Sequence, residues 1–391
     1  MRIALITIGG DAEDVAAQGQ VLLGRRTALR QLEFARAAGC EAAIGLGDGT
    51  GAMAIELRHV AEAGGMKFRT MTNTHNLLGA VGTGDELLVL APGLLPESAE
   101  VLELVQGRHS VVLLPADEGV AAGFERIDAN HAWAGVLLMP GRLVERLAQL
   151  PRECDAAPSL LRIALQAGID LRLLAPATLT AGSWIMAHPS LASAVEAAML
   201  DRRMSAASGG GPSRSFARGV LRRFAPSMLR RKAASAALNA VTGIIGIGAC
   251  VGAAYGHPAL ALVAVALCAL LAEIAIGFER LGHSPLTAIA KPDRFSELAR
   301  WFVDAVLLVC VALAIPADWH RQAFPPLILL LALHVRPDNQ RRGAGAVLGD
   351  RAVLAIVLAC AALVGYAEYA AMLLAVLTLG VIVLAPRLRR G

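Results

Sequence analysis

The sequence predicts an α/β domain followed by an all-α domain that spans a membrane, and three observations support this. Residues of the AVILMFWYC set fill 56% of the 391 positions, before the 39 glycines are added, whereas roughly 45–50% is usual for a wider apolar set in soluble domains. Short apolar runs alternate with helix-like segments up to about residue 200, and long apolar runs follow residue 235. This composition excludes a disordered chain, a collagen-like chain, a disulfide scaffold and an ordinary soluble enzyme.

Residues 1–200 are predicted to form the α/β domain. Short apolar runs that end in Gly, Pro or Asp indicate strands at Arg2–Ile8, Ala42–Leu46, Glu86–Leu90 and Val111–Leu114. Apolar positions recur every three or four residues between them, which predicts helices over Thr27–Ala38, Ala52–Gly64 and Ser98–Gln106. Strands that alternate with helices favour a mainly parallel, Rossmann-like sheet.

Residues 201–235 form a linker of two parts. The first, SAASGGGPSRS, has the composition of a flexible joint. The second, SFARGVLRRFAPSMLRRK, repeats apolar side chains every four residues, at Phe216, Val220, Phe224 and Met228. It is either a solvated basic linker or, as we favour, a helix at the membrane surface with Arg222 and Arg223 near lipid phosphates. Pro226 is expected to bend or break that helix.

Residues 236–391 are predicted to form six membrane spans. The apolar runs cover approximately 237–256, 258–278, 301–317, 319–335, 352–367 and 369–386. A span needs about 20 residues, with a range of about 17–25. The first two runs meet this length clearly, whereas the fourth and fifth are marginal.

The placement of Lys and Arg predicts the topology. The alternate segments 202–235, 279–300, 336–351 and 387–391 carry nine, four, four and three basic residues, and the opposite turns carry one, Arg321. The positive-inside rule then places both termini and the α/β domain in the cytoplasm, in a multi-pass protein of the cytoplasmic (inner) membrane. The six cysteines show no paired spacing, which suits a cytoplasmic face.

A glycine pair follows the first predicted strand. In a βα unit, Gly9 and Gly10 could bring backbone N–H groups to a nucleotide phosphate. A tight turn without any ligand explains the same pair, and the sequence leaves both interpretations open.

Three segments resemble sugar-phosphate nucleotidyltransferases. They are LLGRRTALRQLEFARAAGC at 22–40, ELLVLAPGLLP at 86–96, and SLLRIALQAG at 159–168 with the Gly182–Trp184 turn after it. The chain departs from that family in its first loop, where Asp11, Glu13 and Asp14 replace the basic residues that neutralise a triphosphate. Ala91 stands where the family has a metal-binding aspartate. Asp128 is then a remaining metal ligand, a charged residue that packs against Arg126, or a residue that caps a turn.

Two further segments resemble the motif of CDP-alcohol phosphotransferases, in which four carboxylates hold two divalent ions. In LAEIAIGFERL at 271–281, Glu273 stands at the first carboxylate, Gly277 matches the glycine, and Arg280 falls where the family has alanine. In DRFSELARWFVDAVL at 293–307, Arg300 replaces the third carboxylate and Asp304 matches the fourth. The resemblance implies that Glu273 and Asp304 are the catalytic and metal-binding residues. Two carboxylates make a site for Mg²⁺ or Mn²⁺ electrostatically poor.

The order of parts resembles the bifunctional enzymes that make CDP-inositol and transfer inositol phosphate to a lipid. SFARGVLRR and LNAVTG, at 215–223 and 238–243, are similar to their basic helix and to the start of their first span. The resemblance implies a role in phospholipid or glycolipid head-group biosynthesis. Because both motifs are eroded, we expect a catalytically altered or silent relative that binds a lipid headgroup or a partner protein. The alternative is an active metal-dependent phosphotransferase that uses a CDP-linked donor, and a transporter is a weaker third.

Three interpretations of the eroded membrane motif stay open. Arg300 could form an ion pair with Glu273 or Asp304 that ties spans two and three together. A polar cavity could instead bind a phospholipid headgroup, with Arg300 and Arg280 on the phosphate. Residual metal-dependent transfer is the third. The expected partners are the bilayer, its headgroups, a lipid-synthesis protein and, by resemblance, a second copy of the chain; no nucleic acid is expected.

Overall fold

The computed structural model describes residues 1–206, 210–229, 234–282, 294–335 and 344–384. Its described residues divide into an α/β unit, Met1–Arg202, and a helical unit that starts at Arg203. The basic segments at 336–343 and 387–391, on which part of the topology prediction depends, lie outside the described residues, as do Arg230 and Arg231.

The α/β unit is built on a sheet that, within the described residues, has seven strands. The strands of the unit are β1 Arg2–Thr7, β2 Val21–Leu22, β3 Arg25–Arg26, β4 Ala42–Leu46, β5 Lys67–Met71, β6 Glu86–Leu90, β7 Leu94–Pro96, β8 Ser110–Pro115, β9 His131–Pro140, β10 Asp170–Leu173 and β11 Trp184–Met186. The main sheet has the order β10-β8-β9-β6-β1-β4-β5, while β7 pairs with β11 and β2 with β3. Strand β9 is antiparallel to both neighbours, and the other pairs of the main sheet are parallel.

The central strands are buried on both faces. Every residue of β4 is buried, as are all residues of β1 after Arg2. A parallel strand covered by helices on both faces needs a continuous apolar run rather than an alternating one. This is why the sequence places β4 and β6 at their observed residues, and the predicted α/β layer with a mainly parallel sheet is confirmed.

Helices cover the sheet. They are α1 Ala12–Gly19, α2 Thr27–Ala37, α3 Ala52–Ala63, α4 Ala99–Val105, α5 Ala116–Ala121, α6 Ala156–Gln166, α7 Ala177–Thr180 and α8 Ala192–Ala206, with 3-10 turns at Thr74–Leu77, Gly141–Gln149 and Pro189–Leu191. The direction of the chain along the sheet reverses between β1 and β6, because β4 and β5 follow on one side of β1 and the later strands on the other. Ligands of open α/β sheets bind outside the carboxyl ends of the strands at such a point.

Within the described residues, the helical unit has a helix on each of the six predicted apolar runs, although not all of these helices are long. Its helices are α9 Pro212–Leu229, α10 Ala234–Ala254, α11 Pro258–Gly282, α12 Arg294–Ala314, α13 Trp319–Val335, α14 Ala344–Leu348, α15 Arg351–Leu363 and α16 Ala367–Leu384. Helix α9 continues through Pro226 to Leu229, so the break expected there is wrong. Pro226 lies in the last turn, where its missing N–H removes one hydrogen bond near a helix end.

Two described helices are long and apolar enough to cross a membrane, at Ala236–Ala254 and Pro258–Leu281. Arg351–Leu363 and Ala367–Ile382 are apolar but shorter. The unit has its own core, to which α10, α11, α12, α13, α15 and α16 contribute buried residues. Many large apolar side chains remain exposed on the outside, including Ile244, Leu260, Leu331 and Leu373.

Candidate functional site

A polar cavity of about 340 Å³ lies inside the helical unit. Helix α9 begins at its wall, and α15 contributes its first residue. The middle of α11, the first three turns of α12 and the last turn of α13 complete the lining. Its cationic side chains are Arg214, Arg300 and Arg351, and we call it the arginine cavity. Each of these three arginines lies within the first two turns of its helix. Because these charged residues lie near helix ends, the apolar middle of each helix is left unbroken, and a polar site can exist in this apolar unit.

Glu273 lines the arginine cavity from the middle of α11. Its Oε2 accepts a hydrogen bond from Nε of Arg214 at 3.3 Å, and both side chains are mostly buried. A carboxylate at this depth in an apolar helix is costly unless it is paired. The pair therefore fixes the start of α9 against α11.

Asp304 lies beneath the arginine cavity and is 2% exposed. Arg351 donates to both of its oxygens, from Nε at 3.0 Å and from Nη2 at 3.1 Å, in the two-point geometry that favours Arg–carboxylate pairs. Nε2 of His334 lies 3.6 Å from Oδ2. The carboxylate is thus held between α12, α13 and α15.

Asp350 joins two helix starts at the cavity wall. Its Oδ2 accepts from the backbone N–H of Ser213 at 2.7 Å, and its Oδ1 accepts from those of Ala352 and Val353. Free N–H groups at a helix start carry partial positive charge, which a capping carboxylate stabilises. Asp350 therefore caps α15 and also anchors α9.

The residues predicted for this site divide into two groups. Glu273 and Arg300 line the cavity, and Asp304 lies just below it through its bond to Arg351. Gly277, Arg280, Arg222 and Arg223 do not line it. A Cβ at Gly277 would lie 2.5 Å from Cδ1 of Leu221, so this glycine allows α9 and α11 to pack closely. Arg222, Arg223 and Arg280 have exposed side chains.

Within the described residues, Arg300 does not form the expected direct ion pair with Glu273 or Asp304. The carboxylates pair with Arg214 and Arg351 instead. Nε of Arg300 is buried and has no hydrogen-bond partner in the part of the chain that the structure describes. Arg300 therefore lines the cavity without a direct ion pair to a described carboxylate, and Glu273 is the acidic residue whose charge acts on it.

The donor set does not fit the pair of divalent ions that the family resemblance implies. Both oxygens of Asp304 accept from Arg351, and Glu273 is paired with Arg214. No group of three His, Cys, Asp or Glu side chains within the described ranges is arranged to hold a metal. A divalent ion here would displace Arg351 and lie beside further guanidinium groups, which Coulomb repulsion opposes.

A second cavity, of about 390 Å³, lies in the α/β unit at the reversal of strand order. Thr7, Leu46 and Ala91 line it from the carboxyl ends of β1, β4 and β6. We call it the sheet-end crevice. Gly9 and Gly10 also line it, as predicted for the first βα turn.

The Gly9–Gly10 turn is explained by packing. The backbone N–H of Gly9 donates to the carbonyl of Leu46 at 2.9 Å, so it is not free for a phosphate. A Cβ at Gly9 would lie 2.7 Å from Cα of Gly47, which itself has a φ of +145° that other residues rarely adopt. The tight-turn interpretation of this pair therefore accounts for Gly9.

Carboxylates dominate the sheet-end crevice. Burial, followed by the charges of Asp11, Asp155 and Glu13, raises the pKa of Asp14 above its ordinary value. Asp14, Glu125, Glu153 and Asp155 line the crevice with Arg152. Such a surface repels a nucleoside triphosphate.

Asp128 caps a turn, which is one of the roles predicted for it. Its Oδ1 accepts from the backbone N–H groups of Asn130 and His131, and its carboxylate contacts Nδ1 of His131. These hydrogen bonds lower the pKa of Asp128.

Gly9→Ala tests the packing role of this turn. We expect the variant to lose about 1–3 kcal/mol of stability because its Cβ would overpack against Gly47. Gly84→Ala is the control, since no atom lies within 4 Å of its added Cβ. Thermal melts of the full chain would show a lower melting temperature for Gly9→Ala alone. Equal melting temperatures for both variants would contradict the packing role.

Sequence reasoning missed Arg214, Arg351, His334 and Asp350. The sequence analysis uses Arg351 only as one of the basic residues of segment 336–351. One signal was available: a basic residue at the start of an apolar run must find a partner or reach the interface. The identity of that partner depends on tertiary packing.

Comparisons with known proteins add structural similarity only. No protein-family model matches the chain, and no curated protein matches it. The chain is similar to a crystal structure from Bacillus anthracis described as a glucose-1-phosphate thymidylyltransferase in complex with a sucrose. The sequences are 12% identical over 45% of this chain and 87% of that chain, with a TM-score of 0.35.

Proposed function

We propose that this chain is a membrane protein of lipid head-group metabolism whose helical unit binds a headgroup phosphate without transferring it from a CDP-linked donor. The observation that carries the proposal is the charge arrangement of the arginine cavity. Two arginines pair with the two motif carboxylates, and the third, Arg300, lines the cavity without a direct ion pair to a described carboxylate. Guanidinium groups bind phosphate through two parallel hydrogen bonds, which makes Arg300 the primary phosphate ligand.

The outer surface of the helical unit supports its place in a bilayer. Exposed large apolar side chains cover its helices, and a water-soluble protein rarely exposes such a surface. Exposed aromatic residues lie at the turns α10–α11, α12–α13 and α15–α16, namely Tyr255, Trp319, Tyr366 and Tyr369. The Arg321–Glu368 ion pair, at 2.7 Å, brings two of these turns to one end of the unit. Aromatic rings of this kind mark a membrane–water interface.

We propose that the α/β unit keeps a nucleotidyltransferase-like fold without cytidylyl transfer. The segments at 22–40 and 86–96, the reversal of strand order and the crevice beside it support the fold. The carboxylates of Asp14 and Asp155, where a triphosphate would lie, oppose the reaction. The unit would then bind a small molecule or a partner protein.

The test uses the purified full chain in lipid nanodiscs. We expect no release of CMP from CDP-diacylglycerol or CDP-inositol with Mg²⁺ or Mn²⁺, and we expect native mass spectrometry to show phospholipid retained after the nanodisc is removed. Arg300→Gln should lower that retention by about tenfold or more, the value of one charge-assisted hydrogen bond. Arg321→Gln, which removes a cation at the opposite end of the unit, should retain phospholipid as the wild type does.

Release of CMP by the wild-type chain that requires Mg²⁺ or Mn²⁺ would show that the chain is an active phosphotransferase and would reject the proposal. Retention that Arg300→Gln leaves unchanged would reject the arginine cavity as the phosphate site.

A further inference from the structure

One face of α12 carries a row of polar and aromatic residues into the arginine cavity. Glu297, Arg300 and Trp301 line the cavity at positions i, i+3 and i+4, and Asp304 follows at i+7 beneath it. Residues at these spacings share one face of a helix. At a rise of about 1.5 Å per residue, Glu297 and Arg300 are offset by about 4.5 Å along the axis.

Glu297 differs from the other acidic residues of this site. Glu273 pairs with Arg214 and Asp304 with Arg351, and Asp350 caps helix starts. Glu297 lines the same cavity, is exposed, and makes no ion pair or hydrogen bond with the residues that the structure describes. The cavity therefore holds an anion and a cation, Glu297 and Arg300, that are close neighbours on one helix and do not neutralise each other.

Trp301 adds an aromatic surface next to this anion. Its side chain is 60% exposed, and its ring lies 4.4 Å from that of His334, centroid to centroid. An indole ring attracts an ammonium group through its π face, and a nearby carboxylate strengthens that attraction. Glu297 and Trp301, one turn apart, thus form a place for an organic cation.

We infer that the arginine cavity selects an aminoalkyl phosphate, with the phosphate on Arg300 and the ammonium group between Glu297 and Trp301. This inference rests on the proposed function and adds the class of headgroup. A phosphate joined by a short carbon chain to an ammonium group could place its anion on Arg300 and its cation near Glu297, which lies about one helical turn away along α12. A headgroup with a phosphate and no cation leaves Glu297 beside an anion, which is repulsive at short range. The same chemistry occurs in a zwitterionic lipid and in free phosphoethanolamine.

The experiment compares retained lipids in nanodiscs that contain equal amounts of phosphatidylethanolamine and phosphatidylglycerol. Native mass spectrometry of the full chain should show about a tenfold preference for phosphatidylethanolamine, the value of one added charge-assisted contact. Glu297→Gln should abolish the preference and keep phosphatidylglycerol bound, whereas Arg300→Gln should lose both lipids. Asp318→Asn removes an exposed carboxylate outside the cavity and should behave as the wild type. Melting temperatures near that of the wild type would show that the variants are folded.

The outcomes separate the two proposals. Equal retention of both lipids by the wild type, or a preference that survives in Glu297→Gln, overturns the headgroup class and leaves phosphate binding intact. Retention of neither lipid overturns phosphate binding itself. Soluble phosphoethanolamine added in excess identifies the source: displacement of the lipid would assign the free compound as the ligand, and persistence of the lipid would assign the membrane headgroup.

Discussion

Asp304→Asn is expected to destabilise the helical unit by about 3–5 kcal/mol, the usual effect of removing one partner of a buried ion pair. The Asp304 carboxylate is almost fully buried and accepts two hydrogen bonds from Arg351, whose side chain is 20% exposed. Without the carboxylate, Arg351 would hold an uncompensated charge in an apolar unit. The variant should show a lower melting temperature in detergent, in the absence of any substrate or metal.

The double variant Asp304→Asn/Arg351→Gln should recover most of that loss, because two neutral amides replace two opposite charges. Asp318→Asn, at an exposed site, should change stability by about 0.5 kcal/mol or less. A metal-binding role for Asp304 predicts a different pattern: Asp304→Asn would leave the metal-free protein as stable as the wild type, and added Mg²⁺ would raise the melting temperature of the wild type alone. That pattern would contradict the ion-pair role.

The elements of the α/β unit could be predicted because they depend on local sequence. Strands β4 and β6 are continuous apolar runs that end at Gly or Pro, and α2 begins at Thr27 where the apolar period changes from strand to helix. The two-stranded pairs β2–β3 and β7–β11 were missed as sheets. They consist of two or three residues each, too few to show a period.

The pairing of charges in the helical unit could not be predicted. Glu273 pairs with Arg214, which is 59 positions away in the sequence, and Asp304 pairs with Arg351, which is 47 positions away. The resemblance to the CDP-alcohol phosphotransferase motif predicts that Arg300 lies near Glu273 and Asp304, and this is why an ion pair is expected there. The structure gives each carboxylate an arginine from a different helix, since α9 and α15 begin at the cavity wall. The eroded motif thus predicts where the site lies. The arginines that pair with its carboxylates depend on which helices begin at the cavity wall.

The second large effect is expected in the α/β unit. Arg30 is fully buried in α2, and its Nη1 donates to Oε1 of Glu97 at 2.8 Å, while Nη2 donates to the carbonyl of Leu22 at 2.8 Å. The other oxygen of Glu97 accepts from Arg202 of α8. One buried carboxylate therefore neutralises two guanidinium groups and joins α2 and α8 to the end of β7.

Glu97→Gln should lower the stability of this unit by about 3–5 kcal/mol, because the buried Arg30 would lose the carboxylate that accepts from its Nη1. Arg202 is partly exposed and can turn toward solvent, so Arg30 carries most of the cost. Glu103→Gln, on the exposed side of α4, is the matched control and should melt with the wild type. Arg30→Met/Glu97→Leu should melt closer to the wild type than Glu97→Gln does, since apolar residues of similar volume replace the buried pair without leaving a charge. Equal melting temperatures for Glu97→Gln and Glu103→Gln would contradict the role of the Glu97 carboxylate in joining α2 and α8 to the end of β7.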